Sequence, residues 1–298
     1  MLTYGLISAW TSICQQFFPV FTQPTAQVFL RLLTGWVLCT GRRTITGIIP
    51  FADPGSIRSH DAYHRFFSKA SWDPQRLWEL LARMLVRLFY PTGVIPVDLD
   101  DTVFHHTGRK MDGAGIWRDA VRSTKNKLVY CWGLNLVVLT VRVVAPWGGE
   151  PVLLVISRDP DGKERDDFFF TTDLSMAPAE VIGTFAGRWS IEDTFKNTKQ
   201  FLGAEPPQSW KDQGPERAAV LGLTLYSLVW TWYLRHGYRK TSVVPTPWYP
   251  GKTTPSFQDA LAALRRVLWR DRIISMFGKQ AVHYKISKFL IAALEKAA

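Results

Sequence analysis

Apolar positions recur at helical spacing through the first part of the chain, and the period changes near residue 93. Val28, Phe29, Leu32, Leu33, Trp36 and Val37 share one face of a helix expected over 26–43, closed by Gly41 and the cations Arg42 and Arg43. Thr44 to Ile49 begins a short second element, and Tyr63, Phe66 and Phe67 mark a third helix over about 60–69. Asp73-Pro74 is an N-cap followed by proline at the first helical position, and Leu77, Trp78, Leu81, Met84, Leu85 and Leu88 carry that helix to Tyr90-Pro91. Residues 93–102 then read as a short apolar strand running into the acids Asp98, Asp100 and Asp101 at its C-terminal end. Residues 128–144 are long enough for two buried strands or one bent one, and Asp161-Gly162 predicts a hairpin between strands over 151–157 and 167–172. Helical spacing returns from Pro178, with Ser175 as a candidate cap and Gly203 as the stop. A helix over 217–236, a proline-rich linker over 245–255 and helices over 257–272 and 287–296 complete the chain.

Strands confined to the middle of the chain, between helical stretches, predict an α/β class. The division expected is a helical N-terminal region over 1–90, an α/β core over 91–210 and a helical C-terminal region over 211–298. With 298 residues, 47% of them hydrophobic, the chain can bury a large core. Its formal charge of +11 points to an anionic partner, nucleic acid or a membrane surface. The seventeen residues from Ala218 to Leu234 carry no charge, but Thr224, Tyr226, Ser227, Thr231 and Tyr233 make them a buried helix rather than a membrane span. Arg42, Arg43, Arg58, His60, His64, Arg65 and Lys69 fall on or near the ends of short helices, as in a compact DNA-binding unit; an ordinary helical subdomain with exposed cations gives the same pattern. The three cysteines, Cys14, Cys39 and Cys131, are isolated, so neither a zinc ribbon nor a disulfide framework is expected. A reducing cytoplasm suits them, and the N-terminus lacks the basic residues of a signal peptide.

Two segments carry candidate chemistry. On a helix, Arg188 and Glu192 are one turn apart and Lys199 lies two turns further along the same face, an arrangement that a solvated salt-bridge stripe satisfies as readily as a site. Carboxylates at a strand end are a recurrent way of holding divalent magnesium or manganese, which places Asp100 and Asp101 as candidates. Strand alternation puts Asp98 and Asp100 on one side and Asp101 on the other, so the three cannot all bind one ion.

The order of an acidic strand, a buried sheet and a helix carrying Arg188, Glu192 and Lys199 resembles an RNase-H-like nuclease core. The series Phe185, Arg188, Glu192, Lys199 is similar to the Tyr-Arg-Glu-Lys signature of DDE transposases from bacterial insertion sequences, with Phe in place of Tyr. The strand ending Asp100-Asp101-Thr102, the segment from His105 to Lys127 and the segment from Asp159 to Asp173 also resemble that group. The resemblance implies an RNase-H-like mixed sheet and Mg2+ or Mn2+ held by Asp101 and Glu192 as catalytic residues, Asp101 being the acid directly before the threonine. It further implies transposon-end DNA met by Arg188 and Lys199, target DNA, and self-association on DNA. Arg42 and Arg43 are expected to add to DNA binding, and the protein is expected in the cytoplasm with the nucleoid, without a membrane. The second Asp of the family is not found: Asp101 and Glu192 stand 91 positions apart, and no helix and strand ending in Asp is recognised between them. Asp159, Asp161, Asp166 and Asp167 fall in or beside the expected hairpin turn, and Asp173 matches a stretch that supplies no ligand in the family. The expectation is a shortened core with impaired cleavage and strand transfer, the alternative being an inactive DNA-binding remnant that competes with intact transposase.

Overall fold

The structure is a computed structural model that describes residues 2–108, 110–119, 122–124, 127–143, 189–204, 211–241, 250–277 and 290. Its N-terminal part is helical: α1 (Leu2–Gln15), α2 (Gln23–Leu38), α3 (Ile45–Ala52), α4 (His60–Ser68) and α5 (Pro74–Phe89). Local chemistry sets several of the ends. The Thr44 hydroxyl accepts from the Gly47 N–H at 3.1 Å to start α3, and the Asp73 carboxylate accepts from the Gln75 N–H at 2.9 Å to start α5. Helix α2 stops at Leu38, short of the expected Gly41, and the reason lies far away in sequence. The buried Arg265 donates from Nε to the Val37 carbonyl at 2.7 Å, satisfying a carbonyl that the helix itself leaves open. Gly35 allows α2 and α3 to touch, since a Cβ there would stand 2.5 Å from the Ala52 nitrogen.

The C-terminal helices α7 (Gly214–Trp232) and α8 (Phe257–Phe277) pack into the same core as α1–α5, so residues from both ends of the chain share one apolar interior. Trp10, Phe29, Trp36, Tyr63, Phe66 and Trp232 are fully buried in it. Helix α7 is the charge-poor stretch read as a buried helix, and no helix among the described residues is long and apolar enough to cross a membrane. Two buried charges are tied to fixed partners. Arg217 donates to the carbonyls of Phe67 and Trp72 at 3.1 and 3.0 Å. The carboxylate of Asp53 accepts from Arg31, from the N–H groups of Ile57 and Arg58, and from the Tyr63 hydroxyl. Burial works to raise the Asp53 pKa, but those hydrogen bonds and the Arg31 charge outweigh it and hold the carboxyl below its ordinary range.

The sheet is antiparallel, in the order β1-β4-β3, built from β1 (Val97–His105), β3 (Gly115–Arg118) and β4 (Tyr130–Val141). A second, parallel pair joins β2 (Lys110–Met111) to β5 (Lys211–Asp212). Within the stretch 128–144, Tyr130–Val141 thus form one long strand. Strand β1 differs from the expectation, which ended it at Thr102 with the acids at its C-terminal end. Pairing of Val103, Phe104 and His105 with Asn135, Leu134 and Gly133 extends it to His105, so Asp100 and Asp101 lie within the strand. Helix α6 (Trp189–Gln200) covers one face, seating Ile191 and Phe195 against Phe104 and Val138. Gly203, at φ +57°, ends that helical segment as expected. The fold is mixed α/β, and its three-stranded antiparallel sheet is consistent with a partial RNase-H-like fold.

Candidate active site

Helix α6 lies along β1 and is attached to it at two points. At its start, the Ser190 hydroxyl donates to Asp98 Oδ2 at 3.2 Å. In its last turn, Lys199 Nζ donates to Thr102 Oγ1 at 3.0 Å and to the Val103 carbonyl at 2.7 Å, and it stands 5.1 Å from the centre of the Phe104 ring. The two contacts set the register of helix against strand. Glu192, half-buried in the first turn of α6, falls between them.

Asp98 is only 6% exposed and is held by more than the helix. Arg142, at the end of β4, grips it with two guanidinium nitrogens: Nε reaches Oδ2 at 3.2 Å and Nη2 reaches Oδ1. With both oxygens engaged, Asp98 is an anchor that closes the sheet onto α6. Sequence reasoning missed this role, although a signal was present. Arg142 interrupts an apolar strand two positions beyond Thr140, the register partner of Asp98, and so projects on the same face.

Alternation along β1 holds as expected. Asp98, Thr102 and Phe104, all in contact with α6 residues, define the covered face, and Asp100 shares their parity and is half-buried. Its Oδ1 accepts from the Asp101 N–H at 2.9 Å. Asp101 is exposed on the opposite face, with Val97 and Leu99. Of the two adjacent acids, Asp100 is therefore the one on the side of Glu192.

The cations divide. Lys199 is engaged with β1, whereas Arg42 is exposed. Arg43 is half-buried and packs its side chain on Gly203, where a Cβ would stand 3.2 Å from its Cδ, and burial lowers its pKa. Phe185, Arg188 and the acids Asp159, Asp161, Asp166, Asp167 and Asp173 lie outside the described residues, as do the hairpin expected over 151–172, the start of the signature helix at Pro178 and nearly all of the last expected helix. Beside the Asp98–Arg142 pair a cavity of about 570 Å³ opens, lined in part by Thr140, Ser190, Asn197, Tyr226 and Trp230. Burial pushes the Tyr226 hydroxyl up from its ordinary pKa.

No curated protein and no solved structure matches the chain. Residues 16–145, a span that includes α2–α5 and the whole three-stranded sheet but ends before α6, match the family model described as DDE superfamily endonuclease. Through that part the chain is similar to a family of divalent-metal-dependent nucleases acting on DNA, and the match supports a DDE transposase-like protein.

Proposed function

We propose that this chain is a transposase-family protein that binds transposon-end DNA and whose chemistry is metal-dependent end cleavage and strand transfer, impaired here by loss of the second catalytic Asp. The observation that carries this reading is the docking of α6 along β1, which sets Glu192 beside the strand that bears Asp100 and Asp101. In this reading residues 91–210 form the acting core, and the helical regions over 1–90 and 211–298 supply the support and the DNA-binding surface. The donor set suits a hard cation: carboxylate oxygens from Glu192 and from Asp100 or Asp101 would hold Mg2+ or Mn2+. Bound there, the metal would activate the attacking water or hydroxyl and steady the leaving oxygen. The resemblance favours Asp101 as the ligand on β1, while the side of the strand that α6 covers favours Asp100.

The residues of the chain would do the rest. Asp98, Arg142 and Ser190 keep the helix in register, and Lys199 fixes its far end to β1. Arg42 and Arg188, with the general excess of basic residues, would meet the phosphate backbone and make binding fall steeply with salt. Protomers associating on DNA would bring two ends together. A second reading, an inactive remnant that occupies ends and competes with intact enzyme, differs only in catalysis.

The test uses the full chain with cognate transposon ends in Mn2+, scoring binding by mobility shift and chemistry by strand cleavage. Binding that weakens with salt, with cleavage near background, is expected. Absence of end binding would overturn the family function, and robust cleavage abolished by Glu192→Gln would overturn the impairment.

A further inference from the structure

The face of the sheet opposite α6 holds a second cluster, at the far end of β1 from Asp98. His105, Asp119 and Cys131 each present one donor atom there, and the three atoms lie within 4.8 Å of one another. The strand register explains why they meet. His105 opposes Gly133 on β4, and Cys131 lies two positions from Gly133 on that strand, so their side chains share a face. Cys131 opposes Trp117 on β3, and Asp119 lies two positions beyond Trp117, held in line by its N–H donating to the Val129 carbonyl at 2.9 Å. His105 Nε2 stands 3.3 Å from Asp119 Oδ2.

We infer that these three side chains form a binding site for a zinc-class transition-metal ion, separate from any ion held near Glu192. The donor set selects the metal class. An imidazole nitrogen, a thiolate sulfur and one carboxylate oxygen suit zinc, whereas magnesium prefers oxygen alone. Donors bound at about 2.1 Å around a tetrahedral centre lie about 3.4 Å apart, close to the 3.3 Å between His105 and Asp119. Asp119 is 4% exposed, and its Oδ1 accepts from the Arg122 N–H at 3.0 Å, which orients the carboxylate and leaves Oδ2 facing the other donors. Arg122 also reaches that oxygen at 3.5 Å, but its side chain is mostly exposed and can swing away.

Charge balances as well. Binding sends the Cys131 thiol proton to water, and the resulting thiolate and the Asp119 carboxylate neutralise a dication. Cys131 is the one cysteine of the three with solvent access, since Cys14 and Cys39 are buried. His105 and Cys131, both partly exposed, give an ion a way in. His105 lies four positions along β1 from Asp101, about 13 Å, so one ion cannot serve both places. The effect of the ion would be to strap β1, β4 and the segment after β3 together at the end of the sheet.

The test titrates the reduced, chelator-stripped full chain with Co2+ as a spectroscopic probe and then with Zn2+ against a chromophoric chelator. One ion per chain is expected, with a thiolate-to-cobalt absorption band, no displacement by millimolar Mg2+, and affinity reduced more than about 100-fold in Cys131→Ser and His105→Ala. Glu192→Gln and Asp101→Asn should bind as the parent does, which separates this site from the proposed active site. The parent chain gives a second readout that needs no variant: Zn2+ should slow alkylation of Cys131 about tenfold or more by mass spectrometry. Binding weaker than about 1 μM, or unchanged alkylation, would leave only a His105–Asp119 ion pair and overturn the inference.

Discussion

In the helical layer Trp10, Phe29, Trp36 and Trp232 are fully buried, while in the sheet Leu99 is 66% and Val137 69% exposed. Helices from both ends of the chain pack around the first group, while among the described residues α6 covers one face of the sheet. The two regions therefore owe their shape to different forces. Apolar packing dominates the first, where each large side chain fills a space bounded by several helices. In the second, polar clasps set position: Ser190 and Arg142 on Asp98, and Lys199 on Thr102 and Val103. The lesson is that at the candidate site directional contacts add to the apolar seat of Ile191 and Phe195 on Phe104 and Val138. Trp36 joins the two regions, since its indole N–H donates to the Leu202 carbonyl at 2.6 Å, just beyond the end of α6.

Trp36→Ala is the substitution that should damage the molecule most. It empties a fully buried site and strands the Leu202 carbonyl, a combined loss of about 5 kcal/mol, comparable with the whole stability of an ordinary domain. Loss of the near-ultraviolet circular dichroism and of a cooperative urea transition at 25 °C is the expected outcome. A loss under about 2 kcal/mol would mean that the helical layer repacks freely and that the contrast with the sheet is overstated.

Asp98→Ala should come next, and its effect should be local as well as global. It leaves Arg142, whose side chain is 22% exposed, without its partner and frees Ser190, for a cost of about 3 kcal/mol. Hydrogen exchange should quicken first in α6 and β1 while α2 and α7 stay protected. Equal quickening in all four would show that the clasp serves the whole fold rather than the docking of α6.

The helical layer was largely legible because its signals are local. Asp73-Pro74 marks the start of α5, and the spacing of Tyr63, Phe66 and Phe67 marks α4, through contacts within one or two turns. No helix is expected over the apolar start of the chain, where α1 lies, and the error at the end of α2 came from Arg265, a partner 228 positions away. The sheet was legible in its parity, since alternation separated Asp98 from Asp101, but not in its extent, because pairing with Gly133 and Leu134 carries β1 past Thr102. The partners of the site residues were the least visible. Arg142 and Ser190 lie 44 and 92 positions from Asp98, and the packing of Arg43 on Gly203 joins residues that no periodicity connects. The cluster of His105, Asp119 and Cys131 depends on strand register in the same way, so cysteine spacing alone gave no hint of it.

The smallest effect sharpens the comparison most. Leu99 and Leu139 are register partners on the open face of the sheet, 66% and 56% exposed, with Val97 and Val137 beside them. Replacing both leucines with threonine puts β-branched residues on the strands and removes apolar surface that is mostly exposed, so stability should change by less than about 0.5 kcal/mol. The urea midpoint should hardly move, while light scattering of concentrated solutions should fall, because paired exposed leucines on neighbouring strands form a sticky patch. A loss of about 2 kcal/mol or more per site would mean that this face is covered in solution as fully as the face under α6. In that case Asp101 would share a covered face as Asp100 does, and the side of the strand would no longer favour Asp100 as the partner of Glu192.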